Sequence, residues 1–370
     1  MRSRGVDVAL FFNPTNVRYA TGTNVMAIYA TGTFVRCALV PAEGTPILFE
    51  HPNSIPMTSP VAPDVRPMVG WEHLGGATMD AARRFVRTIE DGIRDLGAPP
   101  SPVAVDRLGT PAFLAFGDAR VGLTDAGALA LEAREAKTPQ EIRVMETNGA
   151  LGMELLSDVE RAMRPGVSEN ELLAALTDSL LRRGGEHLIT RAVVSGPNTN
   201  PWNLEASNRT VERGDLVFVD TDAICRQGYL VDVSRTFLAG DVEATPAQRE
   251  AYRLAHEQVR AMVDLVRPGI SFEEFARRTP QLPDPYARQR YETLVHCAGL
   301  EDEGPSIPFP DDAHFAMPDR ELLPGMVLCL ESYVGAPGER DGVKLEEQVL
   351  VTETGVRELC PYPYCEPLLA

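Results

Sequence analysis

Three aspartates within one short segment could together bind a cation. Asp220 and Asp222 end the strand-like run DLVFVDTD, and Asp232 follows a turn around 227–228. Alternate residues of a strand face the same side, so Asp220 and Asp222 are expected to point together, with Asp232 opposite them across a hairpin. Clustered carboxylates repel one another and titrate upward unless a cation lies among them. The segment therefore predicts a metal site, and the alternative is that Asp222 only opens the turn, where aspartate is common.

Three further side chains complete a possible ligand set. His296 lies in YETLVHCAG, Glu331 ends MVLCLE, and Glu346 lies within VKLEEQVLV. Each is ambiguous alone, and a single histidine among apolar residues is more often part of the core. Together with the aspartates they form an oxygen-rich set with one imidazole, which suits Mn, Fe, Co or Zn. Five carboxylates would balance two divalent or trivalent ions.

The N-terminal third has the pattern of a small α/β domain. Apolar runs at 6–12, 34–40 and 45–50 predict buried strands, and the spacing of apolar residues over 79–96 predicts a helix. We expect this domain to span residues 1–136 and a second domain to span 137–370.

The second domain shows strong helix starts and a repeated phrase. Thr138 with Glu141 forms a capping box, and Ser168 with Glu171 forms another. RPGVSENEL, around Ser168, returns as RPGISFEEF. The repeat predicts an internal duplication, in which two related halves would face each other across a cleft. Strand-like runs predict a mostly antiparallel sheet covered by helices; they lie at 188–195, 215–220, 229–238, 326–331 and 343–351.

Composition narrows the possible functions. The net charge of -18 argues against nucleic-acid binding, which requires a basic face. The 44% apolar and 24% charged fractions are those of an ordinary globular protein. The six cysteines have no metal-finger spacing, and no 18-residue apolar run predicts a membrane span. We therefore expect a soluble cytoplasmic protein that binds neither nucleic acid nor membrane.

The order Asp, Asp, His, Glu, Glu in the frames quoted above resembles the creatinase/aminopeptidase P ("pita-bread") metallopeptidase superfamily. The early NPTNVRYATG is similar too. The resemblance spans nearly the whole chain. It implies an α/β (α+β) fold with a duplicated pita-bread catalytic domain, a smaller creatinase-like N-terminal domain, and a homodimer.

Departures from the hydrolytic pattern bear on the chemistry. Hydrolytic members carry a histidine after SGPN and another shortly after the ligand histidine, where this chain has Trp202-Asn203 and the acidic stretch 301–303. Peptide hydrolysis needs groups that move a proton and stabilise an oxyanion, so a peptidase is disfavoured. The Asp-Thr-Asp motif, the Asn-Pro-Trp loop and the acidic stretch resemble the dimethylsulfoniopropionate (DMSP) lyase branch of DddP type.

That branch resemblance implies two metal ions, with iron favoured, and a small zwitterionic substrate. It implies six ligands, namely Asp220, Asp222, Asp232, His296, Glu331 and Glu346, with Asp302 as the catalytic base. The substrate's cationic sulfonium could lie against Trp202 and Tyr291. In a dimer, the segment that carries Tyr29 could reach the partner's active site.

Other functions stay open on the sequence alone. The first is a dinuclear metal hydrolase of Xaa-Pro peptides or small amides. The second is a different elimination from a betaine-like acid at the same site. The third is a binding protein that has lost its metals, which the complete ligand set disfavours.

Overall fold

The computed structural model of the chain describes residues 1–26, 34–73, 76–100 and 102–370. These residues divide into two units, Met1–Ala133 and Arg134–Ala370. Among the described residues, no helix combines the length and apolar character that crossing a bilayer requires.

The first unit is built around a six-stranded mixed sheet. Val8 and Leu10 belong to one core cluster, and Ala9 and Phe11 to another, because alternate residues of a strand face opposite sides. Both faces of the sheet are therefore covered. The sheet order is β4-β3-β2-β1-β7-β8, and the strands of the unit are β1 (Val8–Phe11), β2 (Cys37–Pro41), β3 (Ile47–Glu50), β4 (Val65–Pro67), β5 (Glu72–His73), β6 (Gly76–Ala77), β7 (Val103–Val105) and β8 (Leu123–Asp125).

The helices of this unit cover the sheet. Phe85 and Ile89 form the apolar stripe of the longest helix and lie in the same cluster as Val8 and Leu10. The helices are α1 (Pro14–Thr21), α2 (Ile55–Thr58), α3 (Met79–Asp95), α4 (Thr110–Asp118) and α5 (Gly127–Glu135). The three predicted strands and the predicted helix are confirmed as β1, β2, β3 and α3, with slightly shorter bounds.

In the second unit every strand pair is antiparallel across residues 134–370. Its strands are β9 (His187–Leu188), β10 (Val193–Ser195), β11 (Leu216–Asp220), β12 (Ala223–Ile224), β13 (Leu230–Val231), β14 (Ser234–Leu238), β15 (Val295–Ala298), β16 (Asp302–Ile307), β17 (Val327–Gly335), β18 (Gly342–Val351) and β19 (Val356–Glu358). Its helices are α6 (Pro139–Ala162), α7 (Glu169–Arg182), α8 (Pro246–Leu265), α9 (Phe272–Arg278) and α10 (Glu366–Leu369). The capping boxes predicted at Thr138 and Ser168 are both present.

Two of the predicted strands are interrupted. The run 188–195 separates into β9 and β10, and the run 229–238 separates into β13 and β14. The reason is that the chain changes sheets: β13 pairs with β12, whereas β14 pairs with β11. Asp232 lies at this change of sheet and is therefore outside any regular strand.

Hydrogen bonding repeats between the two halves of this unit. Ser168, which begins α7, forms an isolated bridge with Thr210, and Ser271, which begins α9, forms one with Glu321. The repeated sequence phrase thus marks a repeated structure, as the predicted duplication requires.

The correspondence extends to two of the candidate ligands. Gly214 (φ 86°) precedes the strand that ends at Asp220, and Gly325 (φ 90°) precedes the strand that carries Glu331. The spacing from glycine to carboxylate is the same in both halves. Asp220 and Glu331 therefore occupy related positions of a duplicated unit.

Candidate metal centre

Strand ends and a change of sheet position the three aspartates. Asp220 is the last residue of β11, and Thr221 fixes the chain that passes opposite it: its hydroxyl donates to the Val231 carbonyl (3.0 Å) and accepts from the Val233 amide (3.0 Å). Asp232 lies between those two contacts. One carboxylate oxygen from each of Asp220, Asp222 and Asp232 lies within 4.8 Å of the others. The three aspartates thus come together as predicted.

Asp222 reaches the cluster by a different route from the predicted one. One strand was expected to carry both Asp220 and Asp222, but β11 ends at Asp220, and Asp222 has φ 36°. Aspartate is among the few non-glycine residues that adopt such angles readily. The Thr190 hydroxyl donates to the Asp222 carboxylate and helps to orient it.

The second half contributes a histidine and two glutamates. Glu331 and Glu346 are directly paired across β17 and β18, so their side chains face the same side. His296, on β15, places Nε2 3.4 Å from Glu331 Oε1, 4.0 Å from Glu346 Oε1 and 3.7 Å from Asp232 Oδ2. The imidazole therefore contacts acidic groups from both halves of the unit.

We call the six candidate ligands together the cage; they are Asp220, Asp222, Asp232, His296, Glu331 and Glu346. Its buried oxygens without hydrogen bonds test whether the cage fits metal ions. Asp220 Oδ1, Asp232 Oδ1 and Glu346 Oε1 are buried and have no hydrogen-bond partner among the described residues. A buried charged oxygen without a partner is costly. Oxygen-rich donors with one imidazole suit divalent cations of the hard and borderline classes. The donor set therefore fits the metal ions that the family resemblance implies.

The pKa values of the candidate ligands also indicate a site that fits cations. Burial and the charge of Asp220 raise the pKa of Asp222 to about 7. Burial, together with a neighbouring glutamate in each case, raises the pKa of Asp232 and of Glu346 well above the ordinary range. Burial opposes a charged His296, but the hydrogen bond and charge of Glu331 prevail and raise its pKa to about 10. The carboxylates therefore outnumber the positive charges around them, as expected of a site that binds cations.

Lys344 belongs to the site, although no motif in the sequence predicted it. It precedes Glu346 by two positions on β18 and therefore faces the same side of the strand. Its ammonium lies 2.7 Å from Asp220 Oδ2 and 3.0 Å from Glu331 Oε2. The charge of Lys344 outweighs burial and lowers the pKa of Asp220. The alternation within VKLEE was the signal that could have identified it.

Asp302, the predicted base, lies beside His296, the candidate imidazole ligand. Its Oδ1 is 3.9 Å from His296 Nδ1, and its side chain is about half exposed. Desolvation raises the pKa of Asp302, opposed by His296 and reinforced by Asp220. Asp302 begins β16, and Glu303, the next residue, is buried and accepts from Lys137 Nζ at 3.0 Å.

The predicted aromatic residues form a pair. The rings of Trp202 and Tyr291 have centroids 4.6 Å apart and are tilted by 51°. Lys344 Nζ lies 4.8 Å from the Tyr291 ring centroid, which connects this pair to the carboxylate cage. Burial and the charge of Glu331 raise the pKa of Tyr291, so it stays a neutral phenol. The predicted contact Tyr29 lies outside the described residues.

One buried carboxylate holds both ends of the loop that carries Trp202. Glu169 accepts from the amide and hydroxyl of Ser195 (2.7 and 2.8 Å) and from those of Ser207 (3.0 and 2.6 Å). Asn198, inside the loop, donates to the same group at 3.0 Å. We call this arrangement the Glu169 clasp. It fixes where the loop leaves and rejoins the fold.

Comparisons with known proteins agree with this architecture. The model of metallopeptidase family M24 matches residues 143–353. A dimethylsulfoniopropionate lyase DddP from Roseovarius nubinhibens is 32% identical over 374 residues, covering 97% of this chain and 83% of that protein. An Xaa-Pro dipeptidase from Pyrococcus furiosus is 28% identical over 230 residues, covering 61% of this chain and 63% of that protein.

A solved structure extends the likeness to the whole fold. The Xaa-Pro dipeptidase from Bacillus anthracis superposes with a TM-score of 0.80 at 22% identity, covering 98% of this chain and 95% of that one. The mixed α/β pita-bread fold expected from the sequence resemblance is thereby confirmed.

Proposed function

We propose that this chain, which belongs to metallopeptidase family M24, a family of metal-dependent enzymes, acts as a lyase and not as a peptidase. Its substrate would be dimethylsulfoniopropionate or a related small betaine-like acid, cleaved by β-elimination to acrylate and dimethyl sulfide. The observation that carries the proposal is the placement of Asp302 beside His296 in a cage bordered by the Trp202–Tyr291 pair. The similarity to a DMSP lyase over nearly the whole chain supports it.

Six residues of the cage would hold the metal ions: Asp220, Asp222, Asp232, His296, Glu331 and Glu346. When bound, the ions supply Lewis acidity that polarises the substrate carboxylate and makes its α-C–H more acidic. The Asp232 and Glu346 oxygens without hydrogen bonds are the donors most in need of such a partner.

Asp302 would take the α-proton. The electron pair of the broken C–H bond forms the carbon–carbon double bond, and the β-C–S bond breaks with its electron pair leaving on sulfur. The sulfonium departs as a neutral thioether and needs no proton. A raised pKa makes Asp302 a stronger base than an ordinary carboxylate, and its half-exposed position lets the proton pass to solvent.

Trp202 would receive the sulfonium. A cation against an aromatic face gains roughly 0.5–2 kcal/mol. Tyr291 belongs to the same pair, but the Lys344 ammonium already lies over its ring and repels a second cation. We therefore assign the larger share of sulfonium binding to Trp202.

The substitution Asp302→Asn tests the assignment of the base. It should cut dimethyl sulfide release by several orders of magnitude and leave metal content unchanged, because Asp302 is outside the proposed ligand set. Release is measured by headspace gas chromatography and metal by elemental analysis. Elimination that survives in the variant at the wild-type rate would show that another group removes the proton.

The second candidate is hydrolysis of Xaa-Pro peptides, favoured by the sequence similarity to an Xaa-Pro dipeptidase. Incubation of the same preparation with an Xaa-Pro dipeptide and, separately, with DMSP distinguishes the two. Free proline without volatile sulfide would establish the hydrolase and contradict the lyase.

Iron is the metal we propose, and a homodimer the assembly. Elemental analysis of the purified protein tests the first, and sedimentation equilibrium tests the second.

A further inference from the structure

We propose that Lys344 is a built-in counter-ion that sets the charge of the metal pair, so that the cage holds two divalent ions rather than trivalent ones. This role depends on the proposed metal site but not on the proposed substrate.

The position of Lys344 is fixed from several directions. Its side chain is 1% exposed, and the ammonium lies 2.7 Å from Asp220 Oδ2, 3.0 Å from Glu331 Oε2 and 3.4 Å from Glu346 Oε2. It also donates to the Ser234 hydroxyl at 2.7 Å. These acidic partners come from both halves of the duplicated unit, so the ammonium belongs to the cage as a whole.

The net charge of the cage determines which pair of metal ions it can neutralise. The acidic ligands (Asp220, Asp222, Asp232, Glu331 and Glu346) carry five negative charges when ionised, and a ligand histidine is neutral. Lys344 reduces the net charge by one, to minus four. Two divalent ions match this value, whereas each trivalent ion adds an uncompensated positive charge in a buried site, which is costly.

Neutral and charge-retaining variants separate this role from simple packing. Lys344→Met removes the charge and keeps much of the volume, whereas Lys344→Arg keeps the charge. Lys344→Gln is a second neutral variant that retains a donor toward Ser234. Lys137→Met removes a different buried lysine, which pairs with Glu303, and serves as the matched control.

The primary measurement is calorimetric titration of chelator-treated protein with Mn²⁺. Lys344→Met and Lys344→Gln should bind Mn²⁺ at least tenfold more tightly than wild type, because an ammonium close to a divalent ion repels it. Lys344→Arg and Lys137→Met should stay close to wild type. Weaker binding in the neutral variants would mean that Lys344 organises the cage. Unchanged binding would mean that the ammonium does not act on the bound ions. Either result overturns the proposal.

The redox potential of bound iron gives a second measurement of the same effect of the Lys344 charge. In iron-loaded protein, the neutral variants should stabilise the ferric state, so the ferric/ferrous potential should fall. A tenfold change in the relative affinity corresponds to about 59 mV for a one-electron couple. A potential that is unchanged or higher in Lys344→Met would contradict the counter-ion role. Neither measurement uses a substrate, so a failed lyase assay leaves both results interpretable.

Discussion

The metal-free protein should become more stable when Asp222 is neutralised. Asp222→Asn is nearly isosteric, and asparagine adopts positive φ angles as readily as aspartate, so the backbone at φ 36° can be kept. The amide oxygen can still accept from Thr190. The substitution therefore changes the charge of a residue that is 7% exposed, with little change in shape.

The magnitude follows from the shifted pKa. Burial and Asp220 raise the pKa of Asp222 from 3.8 to about 7. The folded protein binds this proton more strongly than the unfolded chain does. The contribution of Asp222 to the free energy of unfolding therefore falls as pH rises from about 4 to about 7. At about 1.4 kcal/mol per pKa unit, the fold loses about 2 kcal/mol at pH 5, where Asp222 must take up a proton on folding, and about 4 kcal/mol at pH 8, where it is ionised in the folded protein. The neutral asparagine side chain would remove these costs.

Urea unfolding of chelator-treated protein, followed by circular dichroism at pH 5 and pH 8, measures the effect. The unfolding midpoint of Asp222→Asn should exceed that of wild type, and by more at pH 8 than at pH 5. Asp264→Asn, on the exposed side of α8, is the control and should change neither value. A variant with an unchanged or lower midpoint at pH 8 would refute the claim that the carboxylates repel one another in the absence of a cation.

Two further substitutions test the surroundings of the cage. Trp202→Ala should raise KM for DMSP more than Tyr291→Ala does, because Lys344 already lies over the Tyr291 ring; equal effects in steady-state kinetics would contradict this. Glu303→Gln should lower stability by about 3–5 kcal/mol, since it leaves the buried ammonium of Lys137 without its acidic partner. In denaturant unfolding the double variant Glu303→Gln/Lys137→Met should regain part of that loss, and no recovery would mean that the ion pair is not the cause.

Local chemistry made much of the fold predictable from the sequence. The caps at Thr138 and Ser168 satisfy backbone amides within a few residues, so their effect is visible in a short window of sequence. The strands β17 and β18 were predictable because each contains a continuous run of apolar residues, which is likewise visible in a short window of sequence. Clustering of the ligands was predictable because three of them lie close together along the chain.

Contacts between distant segments explain what the sequence did not reveal. The burial of Glu303 could not be predicted because its partner Lys137 lies 166 positions away along the chain. The break at Asp232 depends on which sheet each flanking strand joins, and that pairing is set by tertiary structure. Lys344 was overlooked since a lysine in a strand is ordinarily exposed, and only the opposing Asp220 and Glu331 make its burial tolerable.

The Glu169 clasp has a consequence for how such a protein can diversify. Because Ser195 and Ser207 both donate to one carboxylate, the two ends of the segment between them are held independently of the side chains inside it. Asn200, inside the segment, also accepts a hydrogen bond from the Tyr333 hydroxyl on β17, so the middle of the segment is joined to a strand that carries a candidate ligand. Redesign of selectivity therefore has its natural target in the ring at position 202, with the neighbouring polar contacts kept.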